Sequence, residues 1–181
     1  MREVKQKNEL AGEIKPEILA TTPLWQHRHI LDLDDFTPAE IELVLKTTDV
    51  MKEVLSRPIK KVPTLRGKTV TTLFYEPSTR TLSSFEVAAK RLSADVIDLD
   101  VPHSSVTKGE TVKDTVDTLQ AMRADYIVVR HKMSGLPRAI ARQTRASVIN
   151  AGDGAHAHPT QALLDAFTLK EAFPDLSGRK I

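Results

Sequence analysis

From Leu65 onward, short β-branched runs alternate with longer amphipathic stretches, and this rhythm confines the chain to a narrow set of folds. Runs such as Thr69-Val70-Thr71-Thr72-Leu73-Phe74 and Tyr126-Ile127-Val128-Val129 suit buried strands, while the stretches between them carry apolar residues at helical spacing. Four strand–helix units can be counted: strands near 68–75, 95–100, 125–130 and 147–151, helices near 79–93, 110–123, 136–145 and 159–173. Parallel neighbours cannot be joined by a tight hairpin, so each strand must return through a crossover helix. The expected fold is α/β, a doubly wound parallel four-stranded sheet with helices on both faces.

Ahead of these units, Phe36-Thr37-Pro38-Ala39-Glu40-Ile41 spells a helix start. Thr37 is the cap, Pro38 takes the first helical position, Glu40 closes a capping box, and Phe36 and Ile41 are spaced for a hydrophobic staple. Val44, Leu45, Thr48, Met51 and Leu55 continue one apolar stripe until Pro58. Residues 1–23 lack periodicity and are expected to form an N-terminal extension, lying on the surface or partly disordered.

The 181 residues suffice for one domain with a sizeable core and are few for two. With 26 basic against 24 acidic residues, the net charge of +2 makes no field for a polyanion, so no nucleic acid partner is expected. Cysteine is absent, which removes disulfides, thiolate metal sites and a cysteine nucleophile together. The opening Met1–Leu10 is charged where a signal peptide needs an apolar run, and no stretch approaches membrane-spanning length. The expectation is a soluble cytoplasmic protein with no membrane partner.

Every unusual polar cluster falls just after an expected strand: Ser78–Thr81, His103–Lys108, Arg130 with His131, and His156–Gln161. Ligands of open α/β sheets bind at that rim, outside the carboxyl ends of the strands. Ser78, Thr79, Arg80 and Thr81 combine three hydroxyls and a guanidinium with a helix N-terminus, whose free N–H groups and dipole favour an anion. Arginine can offer phosphate two parallel donors. The ordinary alternative is a simple helix cap at Ser78.

In the second loop, Ser104 and Lys108 supply a hydroxyl and an ammonium able to close over an anion, unless Lys108 merely faces water. Arg130 ends a strand buried on both faces and therefore needs an anionic partner, a structural carboxylate or a ligand. His158 and Gln161 flank a helix start at Pro159 and could hydrogen-bond a neutral carbonyl and amide, or act as a plain cap and a solvent-facing side chain. His156 and His158 lack further ligands at convincing spacing, so no metal is expected. Gly152-Asp153-Gly154 is not a dinucleotide fingerprint, and neither a P-loop nor a Gly-x-Ser-x-Gly elbow occurs. The residues point to a pocket for a small phosphorylated compound with a carbonyl or amide near its phosphate.

Together, Phe74–Thr81, Ser84-Phe85-Glu86, Lys108–Thr111, Val129-Arg130-His131 and His158–Asp165 resemble the transcarbamoylase family, in the same order, from about Leu24 to the end. Ser104–Thr111 and Asn150–Gly154 favour its aspartate branch over its ornithine branch. The resemblance implies a transferase of pyrimidine biosynthesis that passes the carbamoyl group of carbamoyl phosphate to L-aspartate, without cofactor or metal. Ser78, Thr79, Arg80 and Thr81 would bind the phosphate with Arg130. His158, Thr81 and Arg130 would meet the carbonyl oxygen, and Gln161 the carbamoyl nitrogen. The loop with Ser104 and Lys108 would enter a neighbouring subunit of a homotrimer, with regulatory or dihydroorotase subunits as further partners.

The same resemblance divides the chain into a carbamoyl phosphate-binding domain over 24–157, an interdomain helix over 158–173 and the start of an aspartate-binding domain over 174–181. The second domain is expected to be largely missing, leaving a fragment that binds the first substrate better than it turns over. Leu82 stands where the family has a second arginine, so a local ion pair is expected to be absent. An ornithine enzyme, or a non-catalytic anion-binding or assembly module, is the alternative reading.

Overall fold

The computed structural model describes residues 25–100 and 111–173. A helix, α1 (Pro38–Ser56), precedes four strand–helix units: β1 (Thr69–Phe74), α2 (Thr79–Arg91), β2 (Asp95–Asp100), α3 (Val112–Ala121), β3 (Tyr126–His131), α4 (Leu136–Ala141), β4 (Ser147–Asp153) and α5 (Pro159–Ala172). All strands are parallel, in the order β2-β1-β3-β4. The chain winds outward from β1 to β2, then crosses back to lay β3 on the other flank of β1. The topological switch therefore falls between the carboxyl ends of β1 and β3, where Phe74 pairs with Arg130.

Period-two alternation divides the strands between two cores. Leu73, Ile127, Val129 and Val148 face α3 and α4, packing with Val116, Leu119 and Ile140. Val70, Phe74, Val128 and Ala151 face α2 and its Ala89. Strand parity then puts Arg130, two residues beyond Val128, on the α2 side of the sheet. Leu73, Leu119, Ile127 and Ile140 are wholly buried, and burying each such side chain contributes about 1.5–3 kcal/mol.

The start of α1 follows its sequence pattern: the Thr37 side chain accepts from Glu40 N–H and the Glu40 carboxylate accepts from Thr37 N–H. The apolar stripe ends differently, since Val54 is buried while Leu55 is 40% exposed at the rim of a groove between α1 and α2. Helix α4 is shorter than expected and stops at Ala141. Buried Thr144 then forms a local turn, its hydroxyl accepting from Ala146 N–H at 3.1 Å. Helices α2 and α3 are closed by left-handed residues that are not glycine, Ser93 (φ 67) and Arg123 (φ 57).

Before α1, the chain runs beside β4 as a short strap. Ile30 N–H donates to Val148 O and Ile30 O accepts from Asn150 N–H, forming a parallel bridge with Ile149. The Nδ1 of His29 accepts from Val148 N–H at 3.1 Å. At the opposite border of the sheet, β2 presents exposed Asp95 and Asp98, the latter accepting from the buried Thr72 hydroxyl at 2.7 Å. Among the described residues no helix is long and apolar enough to cross a membrane.

Candidate functional site

An open cleft of about 910 Å³ lies at the switch point. Ser78, Thr79, Arg80 and Thr81 reach it from the turn between β1 and α2, Arg130 from the end of β3, and His158 and Gln161 from the start of α5. Seven residues singled out in the sequence thus converge from three separate loops. The remaining two, Ser104 and Lys108, lie outside the described residues. Arg80 and Arg130 are among the described lining residues, and none of these is acidic.

The turn at Ser78 is more than an ordinary cap. Ser78 holds the N-cap position of α2 at φ −155° and ψ 74°, yet its side chain makes no capping hydrogen bond. The first turn of α2 contains Arg80 and no acidic residue. Its leading N–H groups and its hydroxyls are therefore open to an external acceptor. His158 takes the same position at the head of α5, again without a capping bond and with no acid in the first turn. Its Nδ1 lies 3.4 Å from Thr160 Oγ1.

Arg130 has the anionic partner its position demands. Its Nε lies 2.8 Å from Glu76 Oε1, close enough for an ion pair although off the N–H axis and so not a hydrogen bond. Nη1 donates to Ala151 O at 3.0 Å. Glu76, two residues beyond β1, could not be matched to Arg130 from the sequence because their nearness depends on β1 and β3 being neighbours. The packing of Gly152 against these side chains was equally illegible in the sequence. At φ +116° it adopts a backbone that side chains rarely tolerate, and a Cβ there would fall 2.6 Å from Arg130 Nη1 and 3.4 Å from His158 Cδ2. Glycine is what lets the guanidinium lie against β4 beside the imidazole.

Burial, and after it the charge of Arg130, holds the His158 pKa below its ordinary value of 6.5, with Asp165 opposing weakly. At neutral pH the ring is therefore uncharged, with one N–H donor and one acceptor nitrogen. Gln161 Nε2 donates to Asp165 Oδ1 at 2.9 Å along α5. His131, adjacent to Arg130 in sequence, turns elsewhere: it packs edge-on against Tyr75 at 4.7 Å between ring centroids, and its Nδ1 accepts from Met133 N–H. His156 likewise faces Asp153 and Asp32 rather than joining His158. Among the described residues, no group of His, Cys, Asp and Glu is arranged to hold a metal ion.

Leu82 packs against the core on the α2 face, so the position that lacks an arginine serves the hydrophobic core instead. Ser84 and Glu86 serve the helix itself, Ser84 donating to Arg80 O at 2.7 Å and Glu86 pairing with Lys90 at 3.1 Å.

A doubly wound parallel sheet with an open cleft at its switch point, lined by an uncapped Ser-Thr-Arg-Thr turn, an arginine and a histidine, defines the α/β class of this domain. The chain belongs to the aspartate/ornithine carbamoyltransferase family, matching the model of its carbamoyl-P binding domain over residues 28–171.

Two aspartate carbamoyltransferase catalytic subunits show how near its relatives stand. The chain is 56% identical to that of Dehalococcoides mccartyi over 164 residues, covering 91% of this chain and 50% of the relative. It is 60% identical to that of Akkermansia muciniphila over 154 residues, covering 85% and 50%. The chain spans about half the length of the curated relatives it matches. Its fold is similar to Trypanosoma cruzi aspartate transcarbamoylase in complex with carbamoyl phosphate and aspartate, with a TM-score of 0.77 at 34% identity over 83% of this chain and 49% of that one. The catalytic subunit of M. jannaschii aspartate transcarbamoylase gives a TM-score of 0.76 at 41% identity over 84% of this chain and 49% of that one.

Proposed function

We propose that this chain is the carbamoyl phosphate half of an aspartate carbamoyltransferase, and that the full-length protein converts carbamoyl phosphate and L-aspartate to N-carbamoyl-L-aspartate and phosphate in pyrimidine biosynthesis. The observation that carries the reading is the convergence of Ser78–Thr81, Arg130 and His158 on one cleft without lining acids. Curated relatives named for the aspartate enzyme, at 56–60% identity, favour aspartate over ornithine as the acceptor.

In this reading Arg80 grips two phosphate oxygens in parallel, while the N–H groups and hydroxyls at the head of α2 take the others. Arg130, held at Nε and Nη1 by Glu76 and Ala151, keeps Nη2 for the ligand. Neutral His158 donates to the carbonyl oxygen together with Thr81 and Arg130, and Gln161 exchanges its Asp165 contact for the carbamoyl nitrogen. The lone pair of the unprotonated aspartate amine attacks the carbonyl carbon, and the π pair moves onto oxygen. When the tetrahedral intermediate collapses, the carbon–oxygen bond to phosphate breaks with its electrons leaving on phosphate, which takes up the proton lost by the amine. Donors preorganised around that oxygen, and the positioning of the amine, supply the rate. The reaction in this reading requires no cofactor or metal.

The domain plan follows the same reading: a carbamoyl phosphate domain over 24–157, a connecting helix over 158–173, and an aspartate domain beginning at 174. Ser104 and Lys108 would act from a neighbouring subunit of a homotrimer in the cytoplasm. Sharing is testable by mixing full-length Arg80→Ala and Lys108→Ala chains, each inactive alone. Hybrid trimers regain partial activity if sites are shared, and verified hybrids without activity would reject sharing. The function itself is tested by assaying full-length protein with carbamoyl phosphate and either aspartate or ornithine. Carbamoylation of aspartate is expected; binding of carbamoyl phosphate without product from either amine would overturn the reading.

A further inference from the structure

Strand β4 ends in Asp153, a carboxylate only 1% exposed and absent from the lining of the cleft. A buried carboxylate is tolerated only when donors satisfy its oxygens. Here Oδ1 accepts from Asn150 Nδ2 at 2.9 Å and Ala157 N–H at 3.1 Å, while Oδ2 accepts from Gly135 N–H at 2.7 Å. His156 Nδ1 lies 3.1 and 3.0 Å from the two oxygens. Burial opposes the charge, but donors from Asn150, Gly135, His156 and Ala157 outweigh it and hold the pKa below the usual 3.8.

The placement of these bonds matters more than their number. Asp153 N–H also donates to Ala157 O at 3.1 Å, so the turn 153–157 is closed from both sides immediately before His158. Gly135 belongs to the loop that follows β3 and Arg130. That loop is tied to the β4 turn again by Ser134 Oγ donating to Asp153 O at 3.3 Å and Gly154 N–H donating to His131 O at 3.0 Å. His156 reaches a third segment, its Nε2 lying 3.2 Å from Asp32 Oδ2 in the strap.

We infer that Asp153 is a positioning residue for carbamoyl transfer, locking the turn that carries His158 to the loop that follows Arg130, with His156 as its brace. The inference rests on the function proposed above. Asp153 acts through His158, and because reacting groups must be placed within about 1 Å, loosening this clasp reduces turnover more than binding.

The test uses full-length protein. In Asp153→Asn, either orientation of the amide sets an NH2 group against the N–H of Gly135 or of Ala157. The expected result is a fall in kcat of roughly 10- to 100-fold per folded molecule, with KM for carbamoyl phosphate changed less than about threefold and the His158 imidazole NMR signals displaced. If that variant does not fold, the half-exposed His156 supplies the decision. His156→Ala should lower kcat and move the His158 signals, and His156→Gln, which keeps a donor for Asp153, should restore both. Unchanged kcat and unmoved His158 signals in His156→Ala, with only a lower Tm, would overturn the inference. Wild-type protein that carbamoylates no amine would instead overturn the functional reading, while the His158 signals still report on the clasp.

Discussion

Helices α1 and α3 begin with full capping boxes, whereas α2 and α5 begin with none. Thr37 and Thr111 each accept from the third residue of their helix, whose Glu40 or Asp114 carboxylate accepts in return from the cap N–H. Ser78 and His158 hold the equivalent position with no side-chain capping bond and no acid in the following turn. The first pair lies in the scaffold and the second pair lines the cleft. An acid at a helix start satisfies the free N–H groups and complements the dipole, but it would also occupy and repel an anionic ligand. Among these four helix starts, the two in the scaffold are closed and the two at the cleft are left open.

The largest test of this contrast is Arg80→Ala in the full-length protein. It should lower kcat/KM for carbamoyl phosphate by about 10²–10³-fold, equivalent to about 2.7–4 kcal/mol, with little change in the unfolding midpoint. A collapse of stability instead would mark Arg80 as scaffold. Next comes Gly152→Ala, whose methyl group would meet Arg130 Nη1 at 2.6 Å on a left-handed backbone. A loss of about tenfold or more in kcat is expected, from misplacement of the guanidinium. A crystal structure of the variant with Arg130 unmoved would defeat the explanation.

Smaller effects separate the two kinds of helix start directly. Thr37→Ala should cost about 1 kcal/mol of stability by denaturant titration and leave the kinetics unchanged. Ser78→Ala should do the reverse, altering stability by less than about 0.5 kcal/mol while weakening carbamoyl phosphate binding in calorimetry. If both behave alike, the distinction between closed and open ends fails. Acidification gives the gentlest probe. Because folding keeps His158 neutral, the unfolded chain binds its proton first, so stability is complete above the ordinary value of 6.5 and declines as pH falls below it. Turnover should show an acid limb with a midpoint below 6.5 that is missing from the residual activity of His158→Asn.

The four strand–helix units were legible because β-branched runs such as Tyr126–Val129 end abruptly at polar residues, and the site loops follow at the same edge. Nine candidate residues could be named from those loops, and the seven within the described residues line one cleft. The strand order could not, since pairing of β1 with β3 joins segments far apart in the chain, and with it went the approach of Glu76 to Arg130. Gly152 and Asp153 were hidden by their setting in Gly-Asp-Gly, which reads as a loose turn until Arg130, His158 and Gly135 are seen packed around it. Leu82 looked like a lost ion pair because sequence shows which charge is missing but not which core an apolar residue fills.

The two borders of the sheet carry a consequence for behaviour at high concentration. The strap with Ile30 takes up backbone groups along the outer side of β4, so that flank has few left for an incoming strand. Along β2, the exposed carboxylates of Asp95 and Asp98 would repel a second copy of themselves in any edge-to-edge alignment. One flank is shielded by the chain's own backbone and the other by charge, so neutralising the aspartates should promote self-association that salt-free buffer otherwise suppresses.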